Sequence, residues 1–358
     1  MQKCNTLHKY NKIEEIREIL LIKMVKRQRL LLIITLIKGV INMNIKKIGL
    51  TALAASLVSV SAHAGAMSVA GGASIGLKNT SKTSTGKSWT MGNQLTFTGS
   101  GELDNGMNVA LSFVLDQGDD TAATGEARDN TSPFDSHSVT ISSDELGTLV
   151  FSGEGGSSAQ SAIDTTAAGD AWNNGSAFTV SASEAGDNSM LYTLPTLMDD
   201  VTAVVSYSPG GAGGGSATAW RLGYTGIEGL TVDYAVGDTE TVGSKAETTT
   251  AKASYAYSSF TLSYSSNEHD TEAATGGQDI TSWNVAYTVN DDLSIAYGTE
   301  THDTEAQTID EEAEKVNISY TTGGVTISAS QFMYEGNDNI AGSAGEKERW
   351  ALSATFAF

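Results

Sequence analysis

The chain is 358 residues long and carries 42 Asp and Glu against 21 Lys and Arg, a formal charge of −21. Residues 1–64 hold 11 of those bases and 3 of the acids, so the other 294 residues carry 10 bases against 39 acids, a net −29. So acidic a balance argues against nucleic acid as a partner. The one cysteine, Cys4, falls in the leader, which excludes a disulfide framework, a thiolate nucleophile or a thiolate metal site from residues 65–358.

From the N-terminus, residues 1–42 are basic and differ in composition from the remainder of the chain; they are expected to be a mis-assigned upstream extension, with translation starting at Met43. Residues 43–64 read as a secretory signal peptide: Lys46 and Lys47, then an apolar run over 48–60, then Ala62-His63-Ala64 as the small-x-small cleavage site. Fold reasoning therefore starts at residue 65, and 65–358 is expected to be a single domain.

Sixteen stretches of period-two alternation occupy that domain, near 67–77, 90–101, 107–116, 135–143, 147–153, 187–194, 200–208, 217–225, 229–237, 247–257, 259–267, 280–289, 292–300, 313–321, 324–334 and 347–358. Each is about the ~9–11 residues that a tilted membrane strand needs. No apolar run after residue 64 is long enough for a spanning helix, so any membrane span here is made of strands. Proline is confined to Pro133, Pro195 and Pro209, as long paired strands require.

Even-numbered strands lead into tight turns rich in Asn, Asp and Gly, such as Leu103-Asp104-Asn105-Gly106 and Asp144-Glu145-Leu146-Gly147. Odd-numbered strands are expected to lead into long polar loops. Short turns at one end and long loops at the other describe an up-and-down barrel of the outer membrane, with both termini on the short-turn side.

The second half repeats itself. LTVDY, FTLSY and LSIAY (230–234, 260–264, 293–297) alternate with WRLGY, WNVAY and VNISY (220–224, 283–287, 316–320), and HDTEA occurs at 269–273 and 302–306. One parity holds Trp220, Leu222, Tyr224, Trp283, Val285, Tyr287, Val316, Ile318 and Tyr320; the other holds Arg221, Gly223, Asn284, Ala286, Asn317 and Ser319. A soluble barrel puts its large apolar side chains inside. These polar, small residues cannot fill a sixteen-strand interior, so the apolar parity faces lipid and the lumen holds water.

The longest connection, 154–186, has no Lys or Arg and carries Glu154, Asp164, Asp170 and Glu184, with Asp187 at its exit. These five are the candidate constriction residues. Inward positions of strands two to four, Gln94, Thr96, Thr98, Asn108, Ala110, Ser112, Ser138 and Thr140, include no base. Arg221, Lys252, Lys315 and Arg349, inward by parity but on later strands, are the candidate pore wall. The final strand ends on the apolar parity with Trp350, Leu352, Phe356 and Phe358.

Over nearly its whole length, residues 65–358 resemble the sixteen-stranded general porins of Gram-negative outer membranes. The resemblance rests on NQLTFTGSGELDNGMNVALSF (93–113), ELGTLVFSGE (145–154), NSMLYTLP (188–195) and the terminal Phe358, in family order. It implies an all-β fold, a 16-stranded antiparallel transmembrane barrel whose third loop folds inward as a constriction, its acids facing an arginine cluster of the early strands. It also implies a homotrimer, contact with outer-membrane lipid and lipopolysaccharide, and a final aromatic strand, here Trp350, Leu352, Phe356 and Phe358, read by the barrel-insertion machinery. Where the family often has Arg after the Gly ending strand five, this chain has Glu154, so the usual arginine half is missing or moved.

The expected function is passive diffusion of small hydrophilic solutes and ions across the outer membrane, with a preference for cations. A solute-specific channel is the alternative, followed by a barrel enzyme or a structural or adhesive surface protein. An enzyme needs a Ser/His or acid–base group assembled at the rim, and outside the duplicated HDTEA only His137 is left to build one. No catalytic residues, cofactor or defined metal site are therefore expected. The acidic outer loops (Glu268, Asp270, Glu272, Asp303, Glu305, Asp310, Glu311, Glu312) lack EF-hand spacing and would at most hold divalent cations weakly.

Overall fold

The computed structural model describes residues 66–80, 84–116, 134–171, 182–183, 187–196, 198–210, 215–241, 244–272, 276–336 and 345–358. The expected signal peptide with Ala62 and Ala64, and the loop acid Glu184, lie outside these residues.

Sixteen strands succeed one another in chain order: β1 (Ala66–Thr80), β2 (Ser84–Glu102), β3 (Asn108–Asp116), β4 (Ser136–Ser143), β5 (Gly147–Glu154), β6 (Ser189–Thr193), β7 (Val201–Ser208) and β8 (Ser216–Tyr224), then β9 (Leu230–Thr241), β10 (Ser244–Tyr257), β11 (Phe260–Thr271), β12 (Gln278–Asn290), β13 (Leu293–Thr304), β14 (Glu311–Thr322), β15 (Val325–Glu335) and β16 (Lys347–Ala357). Every strand pairs antiparallel with its neighbours in sequence, and β1 pairs with β16, from Gly72 opposite Ala357 to Thr80 opposite Arg349. The sheet is thus a closed barrel with no free edge. None of the described helical residues forms a helix long and apolar enough to cross a membrane.

The turns form where Asn, Asp and Gly permit them. At the β2–β3 turn the Gly106 amide donates to the Leu103 carbonyl at 2.8 Å, and the Leu103 amide to the Met107 carbonyl at 2.8 Å. Gly147, at the β4–β5 turn, has φ +78°, and a Cβ there would overlap the Thr193 carbonyl, so only glycine fits.

One expectation fails at the other end. The β9–β10 connection is not a long loop: β9 runs to Thr241 and β10 starts at Ser244. Likewise β2 begins at Ser84, well before residue 90. The ladder continues because its backbone bonds need no apolar face once it emerges into water, and charged cross-strand pairs suffice. Glu240 lies opposite Lys245 and forms an ion pair with it. In contrast β6 is short. Asn188 takes φ +58° just before it, and its amide reaches the Gly153 carbonyl at 3.3 Å rather than extending the ladder.

The burial pattern inverts that of a soluble domain. Trp220, Leu222, Tyr224, Leu262, Tyr264, Trp283, Tyr287, Ile318, Tyr320 and Leu352 are all exposed, and they sit on one parity. A continuous apolar surface of this extent needs a nonaqueous neighbour. Aromatic pairs knit it across strands: Phe260 with Tyr287 at 4.7 Å between ring centroids, Trp220 with Tyr234 at 5.6 Å, and Trp283 with Tyr297 at 5.4 Å. The opposite parity carries Ser206, Thr250, Ser265, Ser282, Asn284, Asn317 and Ser330 and lines the lumen.

Candidate functional site

The connection after β5 folds into the lumen and runs along the wall. Its described part, residues 155–171, has little regular structure beyond a 3₁₀ turn at Ser161–Ile163. A chain segment inside a barrel must satisfy its own polar groups, and here inward side chains of successive strands do so. The Ala159 amide donates to Ser206 Oγ of β7 at 2.8 Å, and Gln160 Nε2 to Thr250 Oγ1 of β10 at 2.8 Å. The Ala167 amide donates to Ser265 of β11 at 2.8 Å and the Ala168 amide to Ser282 of β12 at 2.9 Å. Next, the Ala171 amide and the Thr166 hydroxyl both donate to Oε1 of the fully buried Glu300 on β13, the amide at 2.8 Å. Finally Tyr334 on β15 donates its hydroxyl to the Ala171 carbonyl at 2.9 Å. The loop is fastened step by step from β7 round to β15.

Two small apolar contacts lie along this path. Ala159 packs with Val204 and Ala219, and Ala171 packs with Ala313, Phe332 and Tyr334. The loop also closes on itself: Gln160 Oε1 accepts from the Ser183 amide at 2.8 Å, and the Ser158 and Ser183 hydroxyls are 2.6 Å apart.

The candidate constriction residues occupy different settings. Asp164 comes directly after the 3₁₀ turn and is half-buried; burial, and after it the charge of Asp170, raise its carboxyl above the usual range, against the Thr165 amide and Lys252. Asp170 has φ +48°, and its Oδ1 accepts the Thr166 amide at 2.8 Å while its own amide donates to Thr166 Oγ1 at 2.8 Å. Asp164 and Asp170 are therefore neighbours on one loop. Glu154, the last residue of β5, sits at a bulge opposite His137, with Oε2 3.8 Å from Nδ1, an ionic contact only when the imidazole is protonated. Asp187 is exposed at the loop's exit.

The wall bases are mostly engaged. Arg221 on β8 holds Asp233 on β9 through Nη2 at 2.8 Å and Nε at 2.9 Å. Lys252 on β10 donates to the Thr165 carbonyl at 2.6 Å, and Lys315 on β14 to the Ala168 and Gly169 carbonyls at 3.0 and 3.3 Å. These lysines clamp the loop backbone. Arg349 on β16 is buried, and its Nε has no hydrogen-bond partner. The sequence does not single out the wall residues that hold the loop, Ser206, Thr250, Ser265, Ser282, Glu300 and Tyr334. Parity places them inward, but nothing in the sequence says which loop atom each one meets.

In the final strand, Leu352 and Phe358 are exposed, while Trp350 lies opposite Asn79 and Gln331 and Phe356 opposite Ala73 and Val325. A G-x-S-x-G match at residues 72–76 lies within the β1 ladder, paired on both sides, and not at a strand-to-helix turn. Among the described residues no three His, Asp or Glu side chains converge to hold a metal ion.

A closed antiparallel barrel with an apolar outer belt, a polar lumen and a loop tied across its inner wall is a transmembrane channel. The model of the Gram-negative porin family matches residues 49–321, and the chain belongs to that family. It is an outer-membrane porin. Solved porins share the fold at low identity. A porin refined at 1.8 Å resolution is 16% identical over 82% of this chain and 100% of its own, with a TM-score of 0.59. An anion-selective porin from Comamonas acidovorans is 13% identical over 82% and 99%, with a TM-score of 0.56. Salmonella typhi OmpF in complex with daunomycin is 14% identical over 82% and 98%, with a TM-score of 0.62. No curated protein sequence matches the chain significantly.

Proposed function

We propose that this porin is a passive diffusion channel for small hydrophilic solutes that prefers cations. The observation that carries this reading is the charge along the lumen-crossing loop. It bears Asp164 and Asp170 and no base, while the nearest wall lysines, Lys252 and Lys315, are turned onto its backbone carbonyls. Carboxylates in a narrow, low-dielectric-walled passage concentrate cations and repel anions. The fold itself does not set the sign, since a similar structure belongs to an anion-selective porin. Reversal potentials across planar bilayers in a KCl gradient test the proposal: a potential of the cation-selective sign is expected, and the opposite sign overturns it. Liposome swelling with sized, charged solutes distinguishes a general from a solute-specific channel.

In the same reading the chain is exported with cleavage after Ala64, so the intact mass of the membrane-extracted protein begins at Gly65. It assembles as a homotrimer in contact with lipopolysaccharide, and its last strand, with Trp350, Leu352, Phe356 and Phe358, is the signal for insertion. Divalent cations are held by the outer carboxylates as diffuse counter-ions and not at a defined site.

A further inference from the structure

The inner face where β14, β15, β16 and β1 meet carries three bases around a hole. Ladder register sets out two adjacent rows. Lys315, Phe332, Arg349 and Thr80 lie side by side in one, and Asn317, Ser330, Ala351 and Lys78 in the next. None of these eight residues is acidic. Ser330 and Ala351 are small, so the space between Lys78, Lys315 and Arg349 is not filled, and a cavity of about 380 Å³ opens there.

Arg349 is the unusual member. It is only 8% exposed, its Nε finds no acceptor, and no carboxylate among the described residues pairs with it. A guanidinium buried without a counter-charge is costly, and groups of this kind are normally paired or hydrogen-bonded. Glu300, the buried acid of the neighbouring β13, is committed to the Thr166 hydroxyl and the Ala171 amide. Lys315 lies 5.8 Å from the centre of the Phe332 ring and donates to loop carbonyls, which hold it at the cavity's edge.

We infer that this cavity is an anion subsite of the lumen, binding the carboxylate or phosphate group of a small hydrophilic solute through Arg349, with Lys78 and Lys315 at its rim. The planar guanidinium suits a two-oxygen anion, and the low-dielectric wall strengthens the contact. A passing anion supplies a counter-charge that the described residues do not, so it lingers, although the loop acids disfavour anions on average. The inference rests on the chain being an open channel in the membrane.

Single-channel recordings in KCl test it with inorganic phosphate and acetate added separately as probes. Conductance in KCl alone verifies the channel, so failure of the channel and failure of the subsite are told apart. The wild type should show a saturable fall in potassium chloride current with either or both probes. Phosphate alone, or acetate alone, names the preferred oxyanion. In Arg349→Gln the half-blocking concentration should rise about tenfold, the loss expected for one charge-assisted contact, while Arg349→Lys should recover part of it. Lys245→Gln, on the exposed β9–β10 hairpin, should leave the block unchanged. Absence of saturable block in the wild type, or equal block in a conducting, heat-modifiable Arg349→Gln channel, overturns the inference. If Arg349→Gln does not fold, Lys78→Gln carries the same test from the rim, with a smaller rise expected and an unchanged block again overturning the inference.

Discussion

Replacing Glu300 by Ala should release the far part of the lumen-crossing loop while leaving the barrel closed. Glu300 is fully buried, and Oε1 receives both the Thr166 hydroxyl and the Ala171 amide, the latter at 2.8 Å. Hydrogen bonds to a charged group contribute about 1.5–3 kcal/mol each, and the two donors left behind lose their acceptor in a dry setting. Taking the lower figure for each gives about 3 kcal/mol, roughly a hundredfold in the ratio of detached to attached loop. The backbone of residue 300 still pairs with Ser282 and Ala313, so the ladder does not depend on the side chain. Hydrogen exchange of the purified channel reads the local effect: the Ala171 amide should lose protection by about that factor while the β13 amides keep theirs. Open-channel noise should rise, and liposome swelling should admit larger solutes. Glu300→Gln, which keeps a neutral acceptor of the same shape, should fall between. A folded Glu300→Ala channel with unchanged Ala171 protection and unchanged noise would refute the view that this carboxylate holds the loop on the wall.

Arg221→Ala strips Asp233 of its cation and so adds an unbalanced carboxylate to the lumen; the cation-to-anion permeability ratio from reversal potentials should rise, and a fall would contradict the placement of the pair. Because Asp164 has its carboxyl raised by burial and by Asp170, it takes up its proton ahead of an ordinary carboxylate as pH falls. Cation preference should therefore begin to decline at a higher pH in the wild type than in Asp164→Asn, whose profile should lack that first step. Gly147→Ala forces a side chain into a left-handed turn against the Thr193 carbonyl, which should destabilise the barrel by at least about 1 kcal/mol in urea unfolding. Deleting Phe358, an exposed aromatic beyond the last ladder residue, should lower the yield of heat-modifiable, inserted protein while leaving the selectivity of the channels that do form unchanged.

The ladder was legible because its information is local. Trp220-Arg221-Leu222-Gly223-Tyr224 states in five residues which side faces lipid, and period two makes any one-residue slip visible. Register then comes from turn chemistry, as at Leu103 to Gly106. The polar hairpin tips were less legible. In the stretch Asp238 to Glu240 both faces are wet, alternation carries no contrast, and a strand there looks like a loop. The path of the lumen-crossing loop was not legible at all. Ala159, Ala167 and Ala168 reach the wall through backbone amides, and an amide is the same whatever residue carries it. Sequence shows that Ser206, Ser265 and Ser282 point inward, but pairing them with those amides requires the fold of the loop itself.

The same distinction bears on charge. The candidate wall bases Arg221, Lys252, Lys315 and Arg349 all fall inward by parity, and parity alone treats them as equal contributors to the field in the lumen. Their partners make them unequal. Arg221 is neutralised locally by Asp233, so the pair acts on a passing ion as a dipole. Lys252 and Lys315 spend their donors on Thr165, Ala168 and Gly169, which draws Lys252 toward Asp164 and screens part of that acid's effect. Among the described wall bases, Arg349 alone keeps a guanidinium with no opposite charge at hand. Selectivity at the loop and retention at the β14–β1 face are therefore separable properties of one lumen. A mutation at Asp164 should move the reversal potential without moving the anion block, and a mutation at Arg349 should chiefly move the block.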